Sequence, residues 1–232
     1  MKISVATLFP EVYEVLNSGI IGKAVKEGKF NVTVQNIREF SLDKHKHCDD
    51  YSFGGGAGMV MCPQPIADTI KFLDKERKAL RIYLSPKGRT LDQNLVEDLS
   101  KAEEILLLSG SYEGIDERII ESEIDMEISI GDYVLTSGDL PALVLINAIA
   151  RYIPGVLGNE QTTDEESFVN GLLEYPQYTR PCDYNGMTVP EVLLSGNHQE
   201  IAKWRFNKQL EITKKNRPDL YEKYIGKNEE KL

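Results

Sequence analysis

Apolar residues fall in short, nearly unbroken runs separated by segments of helical period. Residues 2–8 (KISVATL) and 105–108 (ILLL) are almost continuously apolar, as expected of strands covered on both faces. Residues 81–84 and 124–129 read as further strands. Residues 31–37 alternate imperfectly through Val32, Val34 and Ile37. Helical pieces are predicted over 11–16, 22–27, 64–75, 92–101 and 116–122. Leu91, Leu95 and Leu99 stand at i, i+4 spacing on one of them. Pro141 begins the most apolar helix, PALVLINAIARYI. Proline suits a first helical turn because its missing N–H has no partner there. Strand–helix alternation predicts an α/β fold with a mostly parallel sheet and right-handed crossovers.

Two segments break this rhythm. Residues 38–63 look like one long irregular loop, with His45, His47, Asp49 and Asp50 followed by the run from Phe53 to Met59. Loops of that length in compact domains are usually functional or disordered. Ser85 to Arg89 reads as a turn closing the strand at 81–84. Beyond Gly158 the character changes. Residues 159–170 (NEQTTDEESFVN) are acidic and poor in apolar groups, the composition of a flexible linker. Residues 171–186 look extended. Asn197, with Glu200 three residues on, is an N-cap signal for a helix reaching about Lys215, and Arg217-Pro218 starts a last one. The expected organisation is an α/β domain over 1–158, the linker, and a small all-α domain over 171–232.

The stretch from Ser109 to Ala142 holds two glycine-bearing polar loops, each after an apolar run. One is Gly110 to Gly114; the other runs from Ser129 to Tyr133 and on to Asp139. Glycine permits tight turns and close approach of backbone to a ligand. Two such loops at adjacent parallel strand ends form a crevice, the usual ligand position in open α/β sheets. A pair of plain βα turns explains the same residues equally well at this point.

Composition narrows the class. No apolar run approaches the roughly 20 residues of a membrane span, and the N-terminus lacks a signal-peptide pattern. Cys48, Cys62 and Cys182 are odd in number and widely spaced, which argues against a disulfide framework and for a reduced, cytoplasmic protein. The net charge of −10 counts against a protein that coats nucleic acid through bulk electrostatics. From Glu200 to Leu232, however, the chain is +3 while the remainder is −13. That reversal places any polyanion contact at the C-terminal end, or marks a solvated helix surface. The glycine run at 54–58 lacks the Gly-Lys-Ser/Thr of a phosphate loop, and the first strand is not followed by Gly-x-Gly. His45, His47, Asp49 and Asp50 lack supporting spacing for a metal site.

Several ordered motifs carry a resemblance over nearly the whole chain. They are LFPE at 8–11, GGGAGMVM at 54–61, LSPKGR at 84–89, YEGIDER at 112–118, SIGDYVL at 129–135, RYIPGVLG at 151–158, YTRP at 178–181 and LLSGNH at 193–198. Together they resemble the bacterial tRNA (guanine-N1)-methyltransferases of the SPOUT superfamily. The resemblance implies a C-terminal trefoil knot in the α/β domain, bound S-adenosylmethionine, and a homodimer whose active sites draw on both subunits. It implies methylation of N1 of guanosine 37 beside the tRNA anticodon, after a guanosine at 36. It also implies a magnesium dependence, although no ligand set is legible.

Carried onto this sequence, the cofactor residues are Tyr83, Leu84, Ser85 and Pro86 in the first loop. Gly110, Tyr112, Glu113 and Gly114 form the second. Ser129, Ile130, Gly131, Asp132, Tyr133, Val134 and Leu135, with Gly138 and Pro141, complete the set. Contacts to tRNA fall on Asp49, Asp50, Gly54, Gly55, Gly56, Gly58 and Met59, and in the C-terminal part on Asn197, His198 and Arg205. Arg151 matches the family arginine that faces O6. Glu166 occupies the position of the family's catalytic aspartate, and Asp164 is the alternative base. Ser111 and Ser137 depart from the arginine and glycine common in relatives. The missing aspartate also leaves open a catalytically impaired tRNA-binding homologue of the same fold.

Overall fold

A computed structural model describes residues 1–158 and 165–229. Residues 159–164, which open the expected linker and include Asp164, lie outside that set. The chain divides into two compact units, 1–160 and 161–232. No helix among the described residues is long and apolar enough to cross a membrane.

The first unit is built on strand β1 (Lys2–Thr7), a 3₁₀ helix (Pro10–Asn17), helix α1 (Gly19–Lys26) and strand β2 (Asn31–Asn36). A second 3₁₀ turn (Ile37–Phe40) leads to a hairpin of β3 (Asp49–Tyr51) and β4 (Met59–Met61). There follow α2 (Pro63–Leu73), β5 (Leu80–Thr90), α3 (Gln93–Leu99), β6 (Glu104–Ser109), α4 (Glu117–Glu123), β7 (Met126–Ser129) and α5 (Asp139–Ala150). The central sheet has the order β2-β1-β6-β5-β7, and every pairing in it is parallel. Side chains alternate between two cores. Ile3, Val5, Ile82, Ile105 and Leu107 pack with Leu95, Leu145 and Ile149 on one face. Ala6, Tyr83, Leu106 and Leu108 pack with Ile66, Ile70 and Ile119 on the other. Burial on both faces explains the unbroken apolar runs.

Two expectations for this unit need correction. Strand β5 does not end at Leu84. It excurses over 85–88 and then resumes, so that Leu84 and Arg89 both pair with Ile128. Gly88 permits this, because a Cβ there would lie 2.4 Å from backbone atoms of Glu127 and Ile128. The segment 38–63 is not one irregular loop either. Its two three-residue strands are too short to show a period in sequence, yet they pair across a glycine-bearing tip.

The second unit holds a hairpin of β8 (Asp183–Tyr184) and β9 (Met187–Thr188), then α6 (Glu191–Leu194), α7 (His198–Asn216) and α8 (Pro218–Glu229). It is therefore not purely helical. Asn185 and Gly186 both have positive φ, 55° and 81°, the requirement of a two-residue hairpin turn that Asn-Gly meets best. Asn197 caps α7, its side chain accepting from the N–H groups of Gln199 and Glu200. The Leu173 N–H donates to Thr213 Oγ1, anchoring the preceding extended segment on α7.

Two buried polar clusters fix the first unit. At the start of β5 the Arg81 guanidinium pairs with Asp74 (2.8 Å) and with Glu123. Burial works against the Asp74 carboxylate, but hydrogen bonds from Arg81 and from the N–H groups of Lys78 and Ala79 outweigh it and hold its pKa below the ordinary value. At the opposite end, the carboxylate of Asp139 is only 2% exposed. Thr7 Oγ1 (2.6 Å) and Tyr13 OH (3.0 Å) donate to its Oδ1, and Ser137 Oγ (2.8 Å) to its Oδ2. Tyr13 also shares a 2.8 Å hydrogen bond with Ser109. Burial, then the nearby Asp139 charge, raises the Tyr13 pKa well above the tyrosine range, so the phenol remains a donor.

Removing that acceptor leaves the buried Thr7 hydroxyl and the half-buried Ser137 hydroxyl without it, while Tyr13 keeps Ser109; an unpaired buried donor costs roughly 1–3 kcal/mol. Asp139→Ala should therefore lower unfolding free energy by about 2 kcal/mol or more, and Tyr13→Phe by about 1 kcal/mol. Denaturant titration of both variants checks this. An Asp139→Ala protein as stable as wild type would show that the cluster does not hold the fold.

Candidate functional site

The parallel strands β6, β5 and β7 are neighbours in the sheet, so the loops leaving their C-terminal ends converge. They enclose a cavity of about 360 Å³. Its walls come from 83–87, from 110–115 and from the segment between Ile128 and Pro141. A crevice at the carboxyl ends of parallel strands is where α/β sheets take ligands.

Glycine sets the close contacts. The Gly138 N–H donates to Gly110 O at 2.8 Å, and Ser111 and Ser137 form an antiparallel bridge beside it. A Cβ on Gly138 would lie 3.0 Å from Ser109 Cα and 3.1 Å from Gly110 N. A Cβ on Gly110 would meet the Tyr83 hydroxyl at 2.8 Å. Two backbones thus run closer than side chains allow, and their amide groups border the cavity. Tyr112 has φ 59°, uncommon for a residue with a side chain. The turn closed by the Gly114 N–H on Ser111 O imposes it.

The chemistry of the lining is selective. Its charged side chains are Lys87 and Glu113; the rest are apolar, hydroxyl-bearing or glycine. Ser111 lines the cavity with its Oγ buried and unpartnered among the described residues, a group for a polar ligand atom to satisfy. Tyr83 is buried, and burial together with Glu127 and Glu117 pushes its phenol up to about 12. It is a donor at neutral pH and cannot serve as a base. The lining offers no nucleophile paired with a base. It suits reversible binding of a small, partly apolar molecule through main-chain groups.

Every residue expected to hold the cofactor borders this cavity except Asp132. The Tyr133 N–H donates to Gly131 O, and Gly131 has φ 150°. This tight turn throws Asp132 outward, where it is exposed. Lys87, Ser111, Thr136 and Ser137 also line the cavity; sequence reading missed that role, although Ser111 and Ser137 stood out as departures.

The other expected site residues lie elsewhere. Arg151 follows α5 and lines a separate groove of about 770 Å³ with Val15, Ile20, Val144 and Asn147. Asp49 and Asp50 are on β3, and Gly54, Gly55, Gly56 and Gly58 on its tip, all with positive φ. Met59 begins β4. In the second unit, Glu166 precedes a turn in which the Phe168 N–H donates to Leu172 O. His198 opens α7. Arg205 reaches Glu165 at 3.3 Å, with its guanidinium 4.6 Å from the Tyr175 ring centroid. Tyr178, which opens the YTRP motif, and Trp204, not singled out from sequence, stand 6.3 Å apart beside it. The histidine–aspartate run closes on itself, His47 pairing with Asp43 at 2.8 Å. Among the described residues no group of three or more His, Cys, Asp or Glu could hold a metal.

Comparison with known proteins gives a consistent result. The family described as "tRNA (Guanine-1)-methyltransferase TrmD" matches residues 1–223. A Clostridium botulinum protein named tRNA (guanine-N(1)-)-methyltransferase is 54% identical over 231 residues, covering 100% of this chain and 96% of its own. A Ruminiclostridium cellulolyticum protein of the same name is 56% identical, covering 98% and 99%. A third, from Clostridium beijerinckii, is 54% identical over 223 residues, covering 96% and 93%.

The Tyr83 environment has a measurable consequence. A folded pKa of about 12 against an ordinary 10.0 leaves its stabilising effect intact below 10. That effect is lost as pH rises from 10 through 12, because the unfolded chain ionises first. Tyr83→Phe should flatten this alkaline loss, as read by denaturant melts across that window. An unchanged slope would remove Tyr83 from the buried set.

Proposed function

This chain belongs to the tRNA (guanine-N1)-methyltransferase family, and from that premise we propose that it methylates N1 of guanosine 37 in tRNA, after guanosine 36, using S-adenosylmethionine. The observation that carries this reading is the cavity at the ends of β5, β6 and β7. It is bordered by nearly all the residues that the family resemblance assigns to the cofactor.

The lining fits that molecule. Main-chain groups of the loops after β6 and β7 border the space that an adenine edge would occupy, and the paired Gly138 N–H and Gly110 O hold those loops together. Ile130, Leu135 and Pro141 supply apolar walls for its ring. The unpartnered Ser111 hydroxyl offers one more polar contact. When bound, the cofactor would supply an electrophilic methyl group on sulfonium for a nucleophilic guanine N1.

The remaining work falls to side chains outside the cavity lining. Guanine N1 carries a proton and is a poor nucleophile until it is lost. Glu166 takes that proton on its carboxylate; Asp164 is the alternative. Charge then builds on O6, and the Arg151 guanidinium offsets it. The target base leaves the anticodon-loop stack to reach this chemistry, and single-stranded loops permit that. Asp49, Asp50, the 54–59 segment, Asn197, His198 and Arg205 contact the tRNA.

A homodimer with shared active sites accounts for Arg151. It shares its groove with Val15, Ile20 and Val144, apolar side chains left exposed in the single chain, and a second copy covering that face buries them. The trefoil knot belongs to the same reading. The bridge between Ser111 and Ser137, with the Gly138–Gly110 hydrogen bond, supports it by holding the segment after β7 against the loop after β6.

Labelled adenosylmethionine and unmodified tRNA, followed by nucleoside analysis, should yield 1-methylguanosine. No label in that nucleoside would sink the assignment and leave a tRNA-binding homologue. In single-turnover assays Arg151→Ala and Glu166→Gln should each slow transfer by roughly 10²-fold or more. A wild-type rate in Glu166→Gln, with a slow Asp164→Asn, would move the base to Asp164. Val144→Glu should convert dimer to monomer in sedimentation and abolish transfer; a dimer that persists would exclude this face.

A further inference from the structure

The β3–β4 hairpin ends in an aromatic ring that the cofactor and the proposed catalytic groups do not use. Phe53 is fully exposed, at 103% of its reference area, and Tyr51 two residues earlier is largely exposed. Phe53 sits within a turn that is closed twice: the Gly55 N–H donates to Ser52 O, and Ser52 Oγ donates to Gly55 O. Gly54, Gly55, Gly56 and Gly58 follow with φ of 88°, 81°, 125° and 81°, conformations that side chains resist. The glycines shape a tip with no flanking side chains to cover the ring.

The hairpin's second strand is fastened to the cavity loop. The Met61 N–H donates to Gly114 O, the Glu113 N–H to Met59 O and the Asp116 N–H to Met61 O. Gly58 lies so close to Glu113 that a Cβ would fall 2.6 Å from its Cγ. Gly114 and Glu113 line the cavity. An RNA base presented to that cavity therefore arrives beside the hairpin.

The charge of the hairpin selects which part of an RNA it can meet. Residues 49–58 carry two carboxylates and no cation. Phosphates are repelled there. A phenyl face, backbone amides and carboxylates match the faces and edges of bases instead. A base leaving a stack also uncovers the faces of its neighbours, and an aromatic side chain compensates for lost stacking whatever the base.

We propose that Phe53 is a stacking platform for the nucleobase flanking the target guanine, holding the opened loop at the cavity mouth. This rests on the methyl-transfer reading above, and its test separates the two. The probe is a synthetic anticodon stem-loop RNA with 2-aminopurine on one side or the other of the target. Bound to the full-length wild-type chain, fluorescence should be quenched several-fold at one of the two positions. Phe53→Ala should restore it and Phe53→Tyr should quench it again. With unlabelled tRNA, kcat/KM should fall roughly tenfold to hundredfold in Phe53→Ala and recover in Phe53→Tyr, while adenosylmethionine affinity stays at the wild-type value. Equal quenching by wild type and Phe53→Ala at both positions, or a rate within twofold, overturns the platform. Quenching that depends on Phe53, in a wild-type protein that forms no 1-methylguanosine, upholds the platform and overturns the activity.

Discussion

One buried carboxylate governs how the cavity is held. Asp139 accepts hydrogen bonds from Thr7 at the end of β1, from Tyr13 in the first 3₁₀ helix and from Ser137 next to it. Tyr13 carries the connection on to Ser109, the last residue of β6. Two strands, a helix and the start of α5 are thereby fixed around a single buried side chain. A polar group in so dry a place is tolerable only because its hydrogen bonds are made. The residues just before it, Ser137 and Gly138, form the wall that meets the loop after β6. Fold stability and cavity shape therefore share one set of atoms.

The sheet was legible in the sequence wherever both faces of a strand were buried, because an apolar run then needs no partner to be read. It was illegible where a strand paired for only two or three residues. Neither β3–β4 nor β8–β9 is long enough to show alternation, although Asn185-Gly186 was a turn signal that went unread. The second half of β5 was hidden because Arg89 and Thr90 are polar and follow Pro86 and Gly88. Nothing local announces that a strand resumes after an excursion; that depends on β7, about forty residues later.

The cavity itself was unusually readable, for a physical reason. Its construction requires glycines at fixed places, and glycine is the residue whose structural demand shows most plainly in a sequence. Asp132 stands outside the lining because the Gly131 turn reverses direction within one residue, which residue order alone does not show. Side chains that act through placement were least legible. Arg151 sits on an apolar groove apart from the cavity lining, and no spacing rule reveals which surface completes its surroundings. The two serines that the resemblance marked as departures gained a physical setting. Ser137 serves Asp139, and Ser111 presents an unsatisfied hydroxyl at the cavity.

The close approach of Gly110 and Gly138 bears on how this site can change over time. The backbones that meet there leave no room for a side chain at either glycine. Any substitution at Gly138 drives a new carbon to about 3 Å from the Ser109 and Gly110 backbone, and one at Gly110 strikes the Tyr83 hydroxyl. Selection acting against an inhibitor of this cavity would find few mutations that weaken the inhibitor and spare the native ligand. Escape would have to come from side chains at the rim, such as Val134, which is largely exposed.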